Sequence, residues 1–227
     1  MHRHLFHFLF VGTCCAGTLC SAEETRLLSV RALLLAPGGP IVNLVPIAGE
    51  TVGKAVQIGA RGLSQPFSPA AREFSFAVPD TTQKIGFRTV AKVSLPAEGK
   101  NFITLLEPVG ETYHAYVVNG EESRFRADCV LFFNASDVTV GASLDKEKVI
   151  IPPHQAVFAK APPRGEKPFY QVTFYQSEEG QARAFSNTRW PHRDEGRSYV
   201  FLYRSHSSGA LTYEAVDEEM QPAATTP

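Results

Sequence analysis

Tyr199-Val200-Phe201-Leu202-Tyr203 is apolar at every position, and its reading decides the fold. A strand points successive side chains to opposite faces, so a run with no polar face must be covered on both sides. That is the signature of a central strand in a packed sandwich. After Arg204, residues 205–209 are turn-forming, and residues 210–216 return as a second strand. Immediately upstream, residues 170–176 turn at Ser177-Glu178-Glu179-Gly180 into residues 181–185, a second hairpin.

The same style extends to both ends of the chain. Residues 27–35 (LLSVRALLL) are apolar on both faces except for Ser29 and Arg31, and Pro37-Gly38-Gly39-Pro40 stops them. Strands are expected at 41–47, 55–58, 73–78, 84–95, 102–106 and 113–118, then at 129–134, 139–144, 149–151 and 156–160. Pro46 suggests an edge or a bulge, because proline cannot donate to a ladder. Asn119-Gly120 favours a type I′ turn, which would pair 113–118 with 123–126. Helical periodicity is confined to one candidate turn at 68–73. Many short strands punctuated by Gly and Pro predict an all-β protein, an antiparallel β-sandwich of one or two packed immunoglobulin-like units.

The first 22 residues read as an address. Arg3, an apolar stretch over 5–19 and the small residues Cys20-Ser21-Ala22 form a secretory signal peptide, with cleavage expected between Ala22 and Glu23. No later apolar run is long enough for a transmembrane helix. The polar stretch 120–127 suggests a boundary near 126. The expected organisation is therefore a signal peptide at 1–22, units at 23–126 and 127–217, and a disordered tail at 218–227. A weak echo between Val93-Ser-Leu-Pro96 and Val149-Ile-Ile-Pro-Pro153 hints at a repeat.

Removing the leader takes Cys14, Cys15 and Cys20 with it and leaves Cys129 alone, so no internal disulfide is expected. Cys129 lies in a strand-like apolar setting and reads as a buried small hydrophobe. Interspersed charges, with 21 Lys+Arg against 23 Asp+Glu after the leader, argue against nucleic acid as a partner.

The densest polar cluster is 187–197. It is expected to be a loop in which Trp190 either serves as a stacking platform, flanked by Arg189, His192 and Arg193 with Arg197 nearby as polar anchors, or plugs the end of the sandwich while the charges face water. These five are the candidate binding residues. His114, His154, His192 and His206 stand in no metal spacing, so no metal and no cofactor are expected. No catalytic residue is assigned: Gly-x-Ser-x-Gly is absent, and Glu178-Glu179 and Glu218-Glu219 read as a turn and a solvated tail. Asn134-Ala-Ser136 is a formal glycosylation sequon.

Arg189-Trp190, the run 197–204 (RSYVFLYR) and 211–218 (LTYEAVDE), with Phe132-Phe-Asn-Ala-Ser136 and Ile151-Pro-Pro153 upstream, resemble uncharacterised exported bacterial proteins of β-sandwich type. The resemblance covers the C-terminal half and implies a periplasmic or secreted setting with no assigned activity. The functional expectation is an exported, non-catalytic structural, adaptor or binding module of the cell envelope, whose partner is another envelope protein or a glycan. The alternatives are a carbohydrate-binding module using Trp190, or a hydrolase of unfamiliar type around His192 and Asp194.

Overall fold

The computed structural model describes residues 28–120, 125–178, 181–193 and 195–219. The leader, part of the segment after Asn119-Gly120, the tip of the 177–180 turn, Asp194 and residues 220–227 lie outside the described residues.

The doubly apolar run falls in β15 (Gly196–Arg204), which lies between two neighbours and under two faces. Its sheet has the order β12-β9-β15-β16, with β9 (Cys129–Asn134), β12 (Ala156–Lys160) and β16 (Leu211–Glu219). A second sheet, β11-β10-β13-β14, packs on one face, from β10 (Val140–Leu144), β11 (Glu147–Ile151), β13 (Phe169–Glu178) and β14 (Gln181–Pro191). The first half of the chain makes β1 (Ser29–Leu34), β2 (Val42–Ala48), β3 (Thr51–Val52), β4 (Val56–Ile58), β5 (Glu73–Pro79), β6 (Phe87–Ser94), β7 (Asn101–Val109) and β8 (Thr112–Asn119). These form one sheet ordered β1-β7-β8 and another ordered β3-β2-β5-β6, with β4 also on β2.

The second set of strands repeats the connectivity of the first. β9-β15-β16 matches β1-β7-β8, and β11-β10-β13-β14 matches β3-β2-β5-β6. In each half the first strand runs parallel to the seventh, Ser29 opposite Asn101 and Val130 opposite Ser198, while the other ladders are antiparallel. One placement differs: β4 pairs with β2, whereas β12 pairs with β9. The expected echo between Val93 and Val149 is not this repeat, since those residues sit in β6 and β11, which are not equivalent strands.

Three apolar cores separate four stacked sheets, and strand alternation assigns each side chain. On β1, Val30, Ala32 and Leu34 enter the first core while Leu33 enters the middle one. On β7, Phe102 and Leu106 face the first core, and Ile103 and Leu105 the middle. On β15, Tyr199, Phe201 and Tyr203 face the middle core, and Val200 and Leu202 the third. The two sandwiches therefore share a core through their inner sheets. At about 10 Å between sheets, the outer layers lie about 30 Å apart.

Several sequence expectations are corrected. β8 pairs with β7 through Gly110-Glu111, and Gly110, at φ +59°, takes the positive-φ position that opens a type II′ turn, while half of the expected partner 123–126 lies outside the described residues. Residues 102–106 offer β8 an apolar partner, and β8 itself packs Tyr113, Ala115 and Val117 on the first core and Val118 in the middle one. Pro46 lies on a central strand, at the point where one edge of β2 passes from β4 to β3. β16 extends through Glu219, so Glu218 belongs to a strand and not to the tail. Residues 70–72 form bends and 68–69 are irregular, with no helical turn. Cys129 is half-buried against the middle core, with its Sγ 3.9 Å from Asp128 Oδ1.

The sequon is a structural corner. Asn134 is fully buried; its Nδ2 donates to Val138 O (2.8 Å) and Ile151 O (3.0 Å). Its Oδ1 accepts from Ser136 N (3.0 Å) and Ser136 Oγ (2.7 Å). In the folded protein this side chain is committed and unavailable to a glycan. Thr104, also fully buried, has no hydrogen-bond partner for its Oγ1 among the described residues.

Candidate functional site

Residues 187–191 are strand, and only 192–195 connect β14 to β15. The polar composition of 187–191 suggested a loop, but an edge strand over a sandwich needs only one inward face, and Thr188 and Trp190 supply it. The ladder runs from Glu178 opposite Gln181 to Phe169 opposite Pro191, with an irregularity opposite Phe174 and Tyr175.

Alternation then disperses the five candidate residues. Trp190 points inward and is half-buried against the third core. Its ring neighbours Tyr170, Phe174 and Tyr213 are inclined to it by 71°, 54° and 48°, so none extends its plane. Arg189 points outward, with its guanidinium 5.0 Å from the centre of the Phe169 ring. His192 donates its backbone N–H to Pro168 O, and its ring lies 5.1 Å from that of Tyr170. Arg193 bonds Asp217 at 2.6 Å, and Asp217 also accepts from Ser198 Oγ at 2.7 Å. Asp194, the carboxylate partner in the hydrolase alternative, lies outside the described residues.

Arg197 turns to the opposite face of its sheet and joins Arg31, Tyr199 and Glu218, which lie outside the 187–197 cluster. Its Nε donates to Glu218 Oε2 at 2.7 Å and its NH1 to Phe125 O at 3.0 Å. Arg31, from the other sandwich, donates to Glu218 Oε1 at 2.6 Å and to Tyr199 Oη at 3.2 Å. Tyr199 Oη in turn donates to Glu218 Oε2 at 2.7 Å. Burial alone would push the Glu218 carboxyl up; hydrogen bonds from Arg31, Tyr199 and Arg197 outweigh it and hold the group at about 2. Burial, with the bond to Glu218, pushes the Tyr199 phenol up to about 12. A cavity of about 520 Å³ opens beside this cluster, lined by Ser29, Arg31, Pro66, Asn101, Arg197 and Glu218 among others. The sequence held one clue to it: Arg31 is a charge inside an otherwise apolar strand.

Backbone geometry supplies the other candidate surface. Among the described residues β14 has one ladder partner, β13. Because His192 N bonds Pro168 O across the Pro191–Phe169 pair, the antiparallel pattern directs the N–H groups of Thr188 and Trp190 to β13. Those of Asn187 and Arg189 point to the open side, where Pro191 has no N–H to offer. In the first sandwich the equivalent strand β6 lies alongside β8; in the second, β14 and β16 barely meet. Between them lie the half-buried rings of Phe185, Trp190 and Tyr213.

No family model matches the chain, and neither does any curated protein. Among solved structures it is similar to a chain from Bacteroides uniformis described as a "putative cell adhesion protein", with 10% identity and a TM-score of 0.20 over 86% of this chain and 98% of that one.

Proposed function

We propose that the chain is an exported, non-catalytic binding module of the cell envelope that takes an extended segment of another envelope protein onto the open edge of β14. The observation that carries this reading is the asymmetry between the two sandwiches. Besides the placement of β4 and β12, the two halves differ at the seam where β6 lies alongside β8 in the first, while the equivalent 11-residue β14 barely meets β16 in the second. Strand addition takes its affinity from main-chain hydrogen bonds, and the outward N–H and C=O groups of Asn187 and Arg189 are placed for it.

Charge defines the partner further. β14 carries Arg183 and Arg189 and no acidic residue, so an acidic extended segment is complementary. The other outer edges are less suited. β11 and β12 have five residues each, β12 lies between Pro152-Pro153 and Pro162-Pro163, and β16 carries four carboxylates. Arg189, Pro191 and the irregularity near Phe185 also guard β14 against indiscriminate edge pairing. The side chains of the polar cluster support binding over catalysis, since Arg193 and Arg197 are held in ion pairs. A glycan platform would need a ring coplanar with Trp190, and its neighbours are all inclined.

The test is photocrosslinking in cells from a probe at Arg189, with a second probe at Lys92 on the far outer sheet. The expected result is a discrete adduct from position 189 alone, lost when Asn187→Pro is added. Identical adducts from both positions, or none from 189, would contradict the proposal.

A further inference from the structure

Among the described residues, the lining of the cavity at the junction of the sandwiches carries more positive charge than its ion pair consumes, and the geometry points to a binding site there for a ligand bearing a single carboxylate. Two guanidiniums, Arg31 and Arg197, share one carboxylate, Glu218, and the set carries a net charge of about +1. A guanidinium has five N–H donors. Among the described residues, Arg31 spends NH1 on Glu218 and NH2 on Tyr199, while Arg197 spends Nε on Glu218 and NH1 on Phe125 O. The remaining donors have no protein acceptor among those residues. Both side chains retain access to solvent, at 25% and 18% exposure, and both line the cavity.

The surroundings select the class of ligand. Ser29 and Asn101 add neutral polar groups, while Pro66 gives the cavity an apolar wall. A planar monoanion matches the fork of a guanidinium and cancels the excess charge. A dianion would meet the fixed negative charge of Glu218 at close range. The volume, about 520 Å³, suits a small molecule or the last residues of a peptide. This inference is independent of the β14 edge, because Arg197 and Trp190 lie on opposite sides of the inner sheet.

Calorimetric titration of the full exported chain tests it, with N-acetylglycine and with one pentapeptide in two forms, free and amidated at the C-terminus. The expected result is saturable binding of the free-acid form, about tenfold tighter than the amide and weakened by salt. Saturation by N-acetylglycine alone assigns the site to small carboxylates, and saturation by the free-acid peptide assigns it to chain ends. The variant Asn101→Asp places a like charge on the lining at an exposed position and leaves the Arg31–Glu218–Arg197 contacts in place. It should weaken binding about tenfold. Glu218→Gln should strengthen it by removing the competing charge. Equal binding of the free-acid and amide forms, no binding of any probe, or indifference to Asn101→Asp would overturn the inference.

Discussion

Arg31 and Glu218 are separated by 187 positions in the chain and meet at 2.6 Å, joining the first strand of one sandwich to the last strand of the other. The contact sits at the rim of the middle core, where the two sheets carrying it are already pressed together by Leu33, Ile103, Leu131, Phe201 and Tyr203. Packing brings the sheets together, and the ion pair fixes their register at one end.

Acid should therefore weaken the junction in a defined window. The Glu218 carboxyl is held at about 2 in the folded chain against an ordinary value of 4.5. A carboxyl lowered by folding stabilises fully above its unfolded value and loses that contribution as pH falls toward its folded one. Between pH 4.5 and pH 2 the loss should be about 1–2 kcal/mol, after allowing for screening of a partly exposed pair. Thermal melts across this range should fall less steeply for Glu218→Gln than for the natural chain. Parallel curves would show that the bonds to Glu218 contribute nothing.

The two sandwiches should unfold together. A fragment ending at residue 120 would expose Leu33, Leu35, Ile103, Leu105 and Val118, each no more than 2% exposed in the intact chain. Each such side chain left in water forfeits about 1.5–3 kcal/mol. Calorimetry of the intact chain should show one transition, and Phe201→Ala should lower it as a whole by about 3–5 kcal/mol of stability. Two separable transitions, only one of them shifted, would contradict the shared core.

Thr104 offers a test in the opposite direction. Its hydroxyl is buried on the first-core side of β7 with no partner among the described residues, so Thr104→Val, nearly the same in shape, should stabilise the protein by about 1 kcal/mol. In urea the midpoint should rise with an unchanged slope. A lower midpoint would mean that the hydroxyl is satisfied.

Strand positions were legible in the sequence where burial has a simple period. Residues 199–203 and 129–134 fall in the expected strands because each apolar run is covered on both faces. The stacking order was not legible, since 27–35 looks the same whether its second cover comes from the same sandwich or from another. Nor was the parallel pairing of β1 with β7, which depends on strands far apart in sequence. At 187–191 an edge strand with one wetted face has the composition of a loop, so composition points to the wrong element there. Arg197 was picked out, but its partners Arg31 and Glu218 come from opposite ends of the chain, and no local pattern links them.

The two sides of β14 should respond differently to proline. Thr188 directs its N–H to β13, so Thr188→Pro should cost about 3 kcal/mol and threaten the fold. Asn187 directs its N–H outward, so Asn187→Pro should cost about 1 kcal/mol, chiefly from backbone strain and its lost bond with Gln171. Chemical denaturation of both variants checks the parity. Equal losses would mean that the edge is not open as assigned.

The most direct measurement for the proposed function is amide hydrogen exchange at Asn187, Thr188 and Arg189, made on the natural chain alone and in complex with the partner identified by capture through position 189. The account predicts fast exchange at Asn187 and Arg189 in the free protein, about tenfold or more slowed in the complex, with Thr188 protected in both. Unchanged exchange at Asn187 and Arg189 on complex formation would contradict it.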